Sequence, residues 1–341
     1  MSAAGTPGPD RLDPAARPYA DALAARFPDL GGAVTDAVEA RRILAAAAGS
    51  ATQSPPPLPP AVGAVLDREV PGPAGAPPVP VRIYRPDPRL WPGPRPTVVY
   101  CHGGGWVLCD LDSHDTTARE LCRAAGAVLV SVDYRRAPEA RFPAAAEDAY
   151  AALAWAGEHV RELGGDPAAL VVAGDSAGGN LAVASLLLAR ERGGPAVALQ
   201  VLLYPVLDAA QDTASYRDNA SGYFLTAAHM RWFWEQYLGP DGDGGHPLAS
   251  PLVADLSGLP PAHVVVAGCD PLRDEGETYH YRLIGSGGRS ALDGHPGMFH
   301  GFLALAAVLP HARRVLEQLG GVIASTRKDG KNFGEEGGRA G

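Results

Sequence analysis

The chain has 341 residues, 46% hydrophobic and 20% charged, which is enough for one large domain or two ordinary ones with a sizeable buried core. Its 38 acidic against 29 basic residues give a net charge of −9, and no arginine cluster supplies the basic footprint that phosphate binding needs, so nucleic acid is not an expected partner. Apolar runs such as Leu181 to Ala189 fall far short of the roughly 20 residues that span a bilayer, and the opening MSAAGTPGPD has neither a basic start nor an apolar stretch. No transmembrane segment or signal peptide is therefore expected, and the expected location is cytoplasmic.

Residues 10 to 49 are Ala-rich with apolar positions at helical spacing (Tyr19, Leu23, Phe27, then Val34, Val38, Ile43, Leu44), and SPPPLPP at 54 to 60 then forbids helix. This predicts a helical arm on a stiff linker. Val79 to Tyr84 and Thr97 to Cys101 read as strands, the second ending in a glycine loop. Strand and helix then alternate: helix near Thr116 to Ala125, strand Ala127 to Asp133, helix near Ala144 to Leu163, strand Leu170 to Ala173, helix Ala177 to Arg192, strand Leu199 to Tyr204 and, later, strand Ala262 to Ala267. Near-continuous apolar runs such as AVLV, LVVA and VVVA suit strands buried on both faces, so a mostly parallel sheet wrapped by helices is expected. Between Leu207 and Leu256 the pattern breaks into a polar stretch, an aromatic helix (His229 to Leu238) and a Gly/Asp/Pro-rich loop, which reads as a lid over a site at the strand ends rather than decoration. The tail from Ser325, with Lys328 and Lys331 amid glycine and charge, reads as disordered.

Cys101, Cys109, Cys122 and Cys269 include no C-x-x-C pair and read as buried small hydrophobes rather than a zinc site or a disulfide framework. The strongest local signal is Gly174-Asp175-Ser176-Ala177-Gly178, between the strand LVVA and a helix. Alone the pattern is weak, since Gly and Ser are common in turns. In a strand-turn-helix context it is the arrangement that strains a serine into exposure while glycines let strand and helix pass closely. The second signal is His102-Gly103-Gly104-Gly105-Trp106, directly after TVVYC. Its bland reading is a flexible turn; its functional reading is a backbone free to turn N–H groups toward an oxygen. It completes neither GxxxxGKS nor GxGxxG, so it is not a nucleotide-phosphate loop.

HGGGW, DYRRAPEARFPAAAEDAYAALAW at 133 to 155, GDSAGGNLA at 174 to 182, DPLRDEG at 270 to 276 and GMFHGF at 297 to 302 resemble the hormone-sensitive-lipase-like (bacterial family IV) carboxylesterases of the α/β-hydrolase superfamily, from about residue 60 to 315. The resemblance implies an eight-stranded mostly parallel sheet with a helical cap, and hydrolysis of short- to medium-chain acyl esters without metal or cofactor. The expected division is a helical arm at 1–55 forming part of the cap, a catalytic domain at 56–206 and 257–323, an inserted cap segment at 207–256 and a disordered tail at 324–341. The family's acid is the first Asp of DPLRDEG, here Asp270, and the order Ser, acid, His usual in this fold leads to the same residue at the end of AHVVVAGC. Its rival is Asp208, after LQVLLYPVL; Asp274 and Glu275 read as helix-start carboxylates.

Of the histidines after the acid (His280, His295, His300 and His311), motif position selects His300, which leaves His295 as a solvated loop residue. In the family the first residue of HGGG, here His102, braces the glycine loop. His114, His159, His229, His246 and His263 read as surface or packing residues. The expected mechanism is acyl transfer by Ser176, with His300 as general base and Asp270 orienting it. The oxyanion would be held by the N–H groups of Gly104 and Gly105, carried over from the family, and of Ala177, from the elbow geometry. Gly103, Gly174 and Gly178 support the motifs, and Trp106, Trp232 and Phe233, with the arm, are the expected walls of an acyl pocket. The partner is a small-molecule ester, and a homodimer is compatible with the sequence. The alternatives are a deacetylase or amidase acting on an acetylated metabolite, and a non-catalytic receptor on the same scaffold, as the plant gibberellin receptors are. Those receptors lack the histidine that this chain keeps. One stretch departs from the family: where relatives place an apolar strand before the histidine, this chain reads GSGGRSALDGHP at 285 to 296. An irregular or short edge strand, loosely supporting His300 and slowing the enzyme, is expected there.

Overall fold

A strand covered by helices on both faces has no polar side to show, so the β-branched and apolar runs take the middle of the sheet. The computed structural model describes residues 11–50 and 59–327. Its strands are β1 (Ala64–Val70), β2 (Val79–Arg85), β3 (Arg95–Cys101), β4 (Val128–Val132), β5 (Gly165–Asp175), β6 (Leu199–Leu203), β7 (Ala262–Cys269) and β8 (Ser290–Phe299). Its helices are α1 (Arg17–Ala24), α2 (Ala37–Ser50), α3 (Asp115–Ala125), α4 (Ala144–Glu158), α5 (Ala177–Arg192), α6 (Ala214–Asp218), α7 (Ala227–Leu238), α8 (Arg273–Gly285) and α9 (Pro310–Ser325). The strands form one sheet in the order β1-β2-β4-β3-β5-β6-β7-β8. Pairing is antiparallel for β1–β2 and β2–β4 and parallel from β4 through β8, which is the expected α/β architecture.

Side chains alternate across the sheet with the period of two that a strand imposes. Val98 and Tyr100 of β3 bury against Leu121 of α3 and Leu319 of α9, while Val99 and Cys101 bury with Leu153 of α4 and Leu181 of α5. Leu153 is wholly buried, so Leu153→Ala would cost about 2–5 kcal/mol. The predicted elements fall where the periodicity put them, with shifts at their ends. The arm is two helices, because Pro28 and Gly31, at φ 77°, interrupt it. α4 stops at Glu158, not Leu163; the ring Nδ1 of His159 meets the carbonyl of Trp155 at 2.9 Å and helps to close the end. β1 has no counterpart among the predicted strands, since an edge strand paired only with β2 keeps four of its seven residues exposed.

The segment at 285–296 corrects the expectation of an irregular strand. Ser290 to His295 pair residue by residue with Ala262 to Ala267, six consecutive partners in parallel register. Apolar content is not needed here because β8 is the last strand of the sheet and is bonded on one side only. Pro296 falls where the register shifts between Ala267 and Cys269, a place where a missing N–H costs no ladder bond. His295 is also corrected: it lies on β8, 8% exposed, with Nδ1 3.1 Å from Nε2 of His311 and its ring against Phe302. At the chain end, Ala324 and Ser325 still belong to α9, while the expected tail from 328 onward and the linker residues 54–58 lie outside the described residues. No helix among the described residues is long and apolar enough to cross a membrane.

Candidate active site

In parallel sheets the carboxyl ends of the strands open onto loops, and there the register brings distant segments side by side. Cys101 of β3 is level with Gly174 of β5, and Asp175 with Leu203 of β6. The loop HGGG after β3 therefore lies beside the turn that carries Ser176. Ser176 holds φ 56° and ψ −121°, a conformation that costs a non-glycine residue about 1–3 kcal/mol and that its N–H bond to the carbonyl of Leu203, at 2.8 Å, helps to hold. A Cβ at Gly178 would run into the carbonyl of Cys101, and one at Gly174 into the backbone of Gly178. Only glycine lets the strand, the helix and the neighbouring strand pass this closely.

His300, just after β8, places Nε2 3.0 Å from Ser176 Oγ and Nδ1 2.7 Å from Asp270 Oδ2. Asp270 is fully buried at the end of β7, and its other oxygen accepts from the N–H of Leu272 at 2.9 Å. An ionised carboxylate can only accept, so the shared proton belongs to Nδ1 of His300, and Nε2 is left free to accept from the serine hydroxyl. The rival Asp208 turns its carboxylate to the N–H of Ala210 at 3.0 Å and makes no bond to His300. Asp274 and Glu275 do lie in the first turn of α8, yet each also does more. Asp274 accepts from the N–H of Ser215. Glu275, fully buried, accepts from the N–H groups of Leu207 and Asp208, and burial pushes its carboxyl up to about 8.

The glycine loop is held from behind. His102 is wholly buried, its Nδ1 2.7 Å from the carbonyl of Gly103 and its ring stacked on Tyr134 at 4.3 Å. Burial holds it down at about 3, so it is a neutral brace. The N–H of Gly103 donates to Asp175 Oδ1 at 2.9 Å, and the hydroxyl of Tyr100 donates to the same oxygen at 2.5 Å. Beyond this bond the chain turns through Gly104 (φ 104°) and Gly105 (φ 60°). Among the described residues no acceptor pairs with the N–H groups of Gly104, Gly105 or Ala177. Three unpaired donors beside Ser176, one of them at the positive end of α5, suit an oxygen that gains negative charge.

These groups open on a cavity of about 200 Å³. Its walls are Leu23 and Phe27 of the arm, Phe224, Leu225, Met230 and Phe233 of the inserted stretch, and Cys109, His114, Thr117 and Tyr204 of the sheet side. Phe233 lies directly over Gly105, where an added Cβ would collide with its ring. Trp106 and Trp232, expected beside it, do not line the cavity. Trp106 is fully buried, stacked on Tyr237 at 4.1 Å, and Trp232 bonds the carbonyl of Thr35 through Nε1 at 3.0 Å. They hold the glycine loop to α7 and α7 to the arm. A wider groove of about 870 Å³ between the β1–β2 turn and α4 contains none of these reactive groups.

Two of the wall residues differ from their reading in the sequence. Cys109 is a cavity wall rather than core, and His114 is neither surface nor packing: its Nε2 is 3.5 Å from Asp175 Oδ2. Burial works to lower His114, but the Asp175 carboxylate outweighs it and pushes the ring up to about 10. The ring in turn keeps Asp175 below its ordinary value against the effect of burial. GDSAG contains Asp175, so that half of the pair was within reach of the sequence. Nothing in the spacing of His114 marks it.

Residues 98–304 match the α/β-hydrolase fold family. The carboxylic ester hydrolase LipN of Mycobacterium tuberculosis is 48% identical over 248 residues, a match that covers 71% of this chain and 65% of that protein, just under two thirds of its length. The carboxylesterase NlhH of the same organism is 43% identical over 242 residues, covering 69% of this chain and 74% of that one. Among solved structures, the hyperthermophilic esterase of the archaeon Pyrobaculum calidifontis superposes with a TM-score of 0.84 at 39% identity, over 93% of this chain and 99% of that one. The chain belongs to the α/β-hydrolase fold family, in its hormone-sensitive-lipase-like branch of carboxylester hydrolases.

Proposed function

We propose that this protein hydrolyses carboxylic esters through an acyl-enzyme formed on Ser176, with His300 as general base and acid and Asp270 as the group that orients it. The observation that carries the reading is the unbroken line Ser176 Oγ, His300 Nε2 at 3.0 Å, His300 Nδ1, Asp270 Oδ2 at 2.7 Å. As Oγ attacks the ester carbonyl, its proton passes to Nε2, and the resulting imidazolium is stabilised by the Asp270 carboxylate. The carbonyl oxygen takes up the negative charge and meets the N–H groups of Gly104, Gly105 and Ala177. His300 then returns the proton to the departing alcohol, and water repeats the sequence on the acyl-enzyme.

The names of the relatives, carboxylic ester hydrolase and carboxylesterase, support the same reaction. A cavity of about 200 Å³ lies below the roughly 300–1,000 Å³ of pockets for drug-sized ligands, and its apolar walls favour acyl chains of a few carbons. The arm and the inserted segment, which meet over the serine through Phe27 and Phe224 at 5.2 Å, act together as the cap.

The test is a p-nitrophenyl ester series from acetate upward on wild type, Ser176→Ala, Asp270→Ala and His300→Ala. Each substitution should lower kcat by about 10⁴ to 10⁶, and double variants should be hardly worse than single ones. Retention of more than about a tenth of wild-type activity by Ser176→Ala would overturn the mechanism.

A further inference from the structure

Asn219 follows α6 in the inserted stretch and is completely buried. Its amide nitrogen donates to the main-chain carbonyl of Asp270 at 2.9 Å and reaches that of Gly268 at 3.3 Å, so it spans the turn that presents the acid. Its amide oxygen accepts from the guanidinium of Arg11 at 2.5 Å, and the same Nη2 reaches the carbonyl of Asp218 at 3.3 Å. Two residues further on, the N–H of Asp13 donates at 2.9 Å to the carbonyl of Gly297, three residues before His300. A Cβ on Gly297 would press on Asp13 at 3.1 Å. The start of the arm is thus wedged between the turn that presents the acid and the end of β8 that leads to the histidine. Neither Arg11, Asp13 nor Asn219 lines the cavity over Ser176.

From this geometry we infer that Asn219 is a positioning residue for the Asp270–His300 pair and that Arg11 locks it in place. The inference rests on the reading of Asp270 as the catalytic acid. An amide is the side chain that fits: it offers donors to two carbonyl oxygens and an acceptor to a guanidinium at once. An aspartate there would face those carbonyls with acceptors only, and an alanine would leave the Asp270 carbonyl with only the N–H of Arg273 at 3.3 Å and would release the exposed Arg11. The bonded carbonyl belongs to Asp270 itself, so a shift at Asn219 is passed to the carboxylate through a few covalent bonds. Displacement of a catalytic group by about 1 Å can cost on the order of 100-fold in rate. The loss falls on kcat, since the surfaces that bind the ester are untouched.

The experiment compares wild type, Asn219→Asp, Asn219→Ala, Arg11→Met, Arg11→Lys and Asp270→Ala as full chains. It measures kcat and KM on p-nitrophenyl acetate, thermal midpoints, and the deshielded NMR resonance of the His300 Nδ1 proton. Both Asn219 variants should lose about 10- to 100-fold in kcat with KM within about 2-fold, and their Nδ1 resonance should move or broaden. Arg11→Met should lose about 3- to 10-fold, and Arg11→Lys, which keeps the cation, should recover part of it. A folded Asn219→Asp with wild-type kcat and an unmoved resonance, beside an inactive Asp270→Ala, overturns the inference and leaves the triad intact. A rise in KM at unchanged kcat also overturns it. An active Asp270→Ala overturns the underlying reading instead. If neither Asn219 variant folds, Arg11→Met decides: reduced kcat at unchanged KM supports the inference and wild-type kcat overturns it.

Discussion

Asp175 joins three parts of the site that are far apart in the chain: Tyr100 in β3, Gly103 in the glycine loop and His114 at the start of α3. It stands next to Ser176, so one largely buried carboxylate fixes the glycine loop relative to the serine. The two histidines behind that loop titrate in opposite directions for a simple reason. His102 has burial and a carbonyl for company, whereas His114 has a carboxylate. His114 is raised from 6.5 to about 10, so the folded protein holds a proton there that the unfolded chain gives up. The stabilisation is therefore full below about pH 6.5 and lost as pH rises through about 10. His114→Gln should melt about 2–6 °C below wild type at pH 6 and level with it above pH 10. Thermal scans across that range check this, and an equal deficit at both ends would refute the ion pair.

At the scale of elements, α7 divides its large apolar residues between two tasks. Met230 and Phe233 face the cavity, while Trp232, Trp234 and Tyr237 pack against the arm and the glycine loop. The arm is fastened from its other helix too: Arg41 of α2 donates to the carbonyls of Val107 and Ala137 at 2.8 and 2.7 Å and pairs with Glu139. The two kinds of aromatic residue should separate in experiment. Phe233→Ala opens the wall over Gly105 and should move the preferred acyl chain upward by about two carbons. Trp106→Ala should leave that preference in place and cost about 3–5 kcal/mol of stability, because it empties a stacked core position. The chain-length series together with denaturant melts distinguishes them, and an unchanged profile in Phe233→Ala would remove it from the wall.

For the whole molecule, the site exists only where four strand ends meet: β3 with its glycines, β5 with the serine, β7 with the acid and β8 leading to the histidine. Ser290 to His295 form a regular ladder ahead of His300, so a loosely held histidine and a slow enzyme no longer follow from the glycines at 285–294. Since β8 is bonded on one side only, alternate amides from 290 to 295 should be protected against hydrogen exchange and their neighbours should not. Exchange followed by NMR would show this alternation, and uniformly rapid exchange across all six would contradict the ladder.

Much of this was legible in the chain. The central strands announce themselves because burial on both faces demands unbroken apolar runs, and Ser176, Asp270 and His300 because their motifs carry local backbone requirements in a fixed order. The edge strand β1 was not legible and β8 was read as an edge strand but not as a regular one, since half of an edge strand faces water and polar or glycine-rich residues are admitted there. Cavity walls were only partly so: Trp106, Trp232 and Phe233 are alike as apolar side chains, and only packing decided that Phe233 alone faces the serine. The polar supports were least legible. Arg11 and Asn219 meet across 208 residues and Asp270 lies 51 further on. What makes such residues matter is burial and the match of donors to acceptors, and both arise only when the chain has closed on itself.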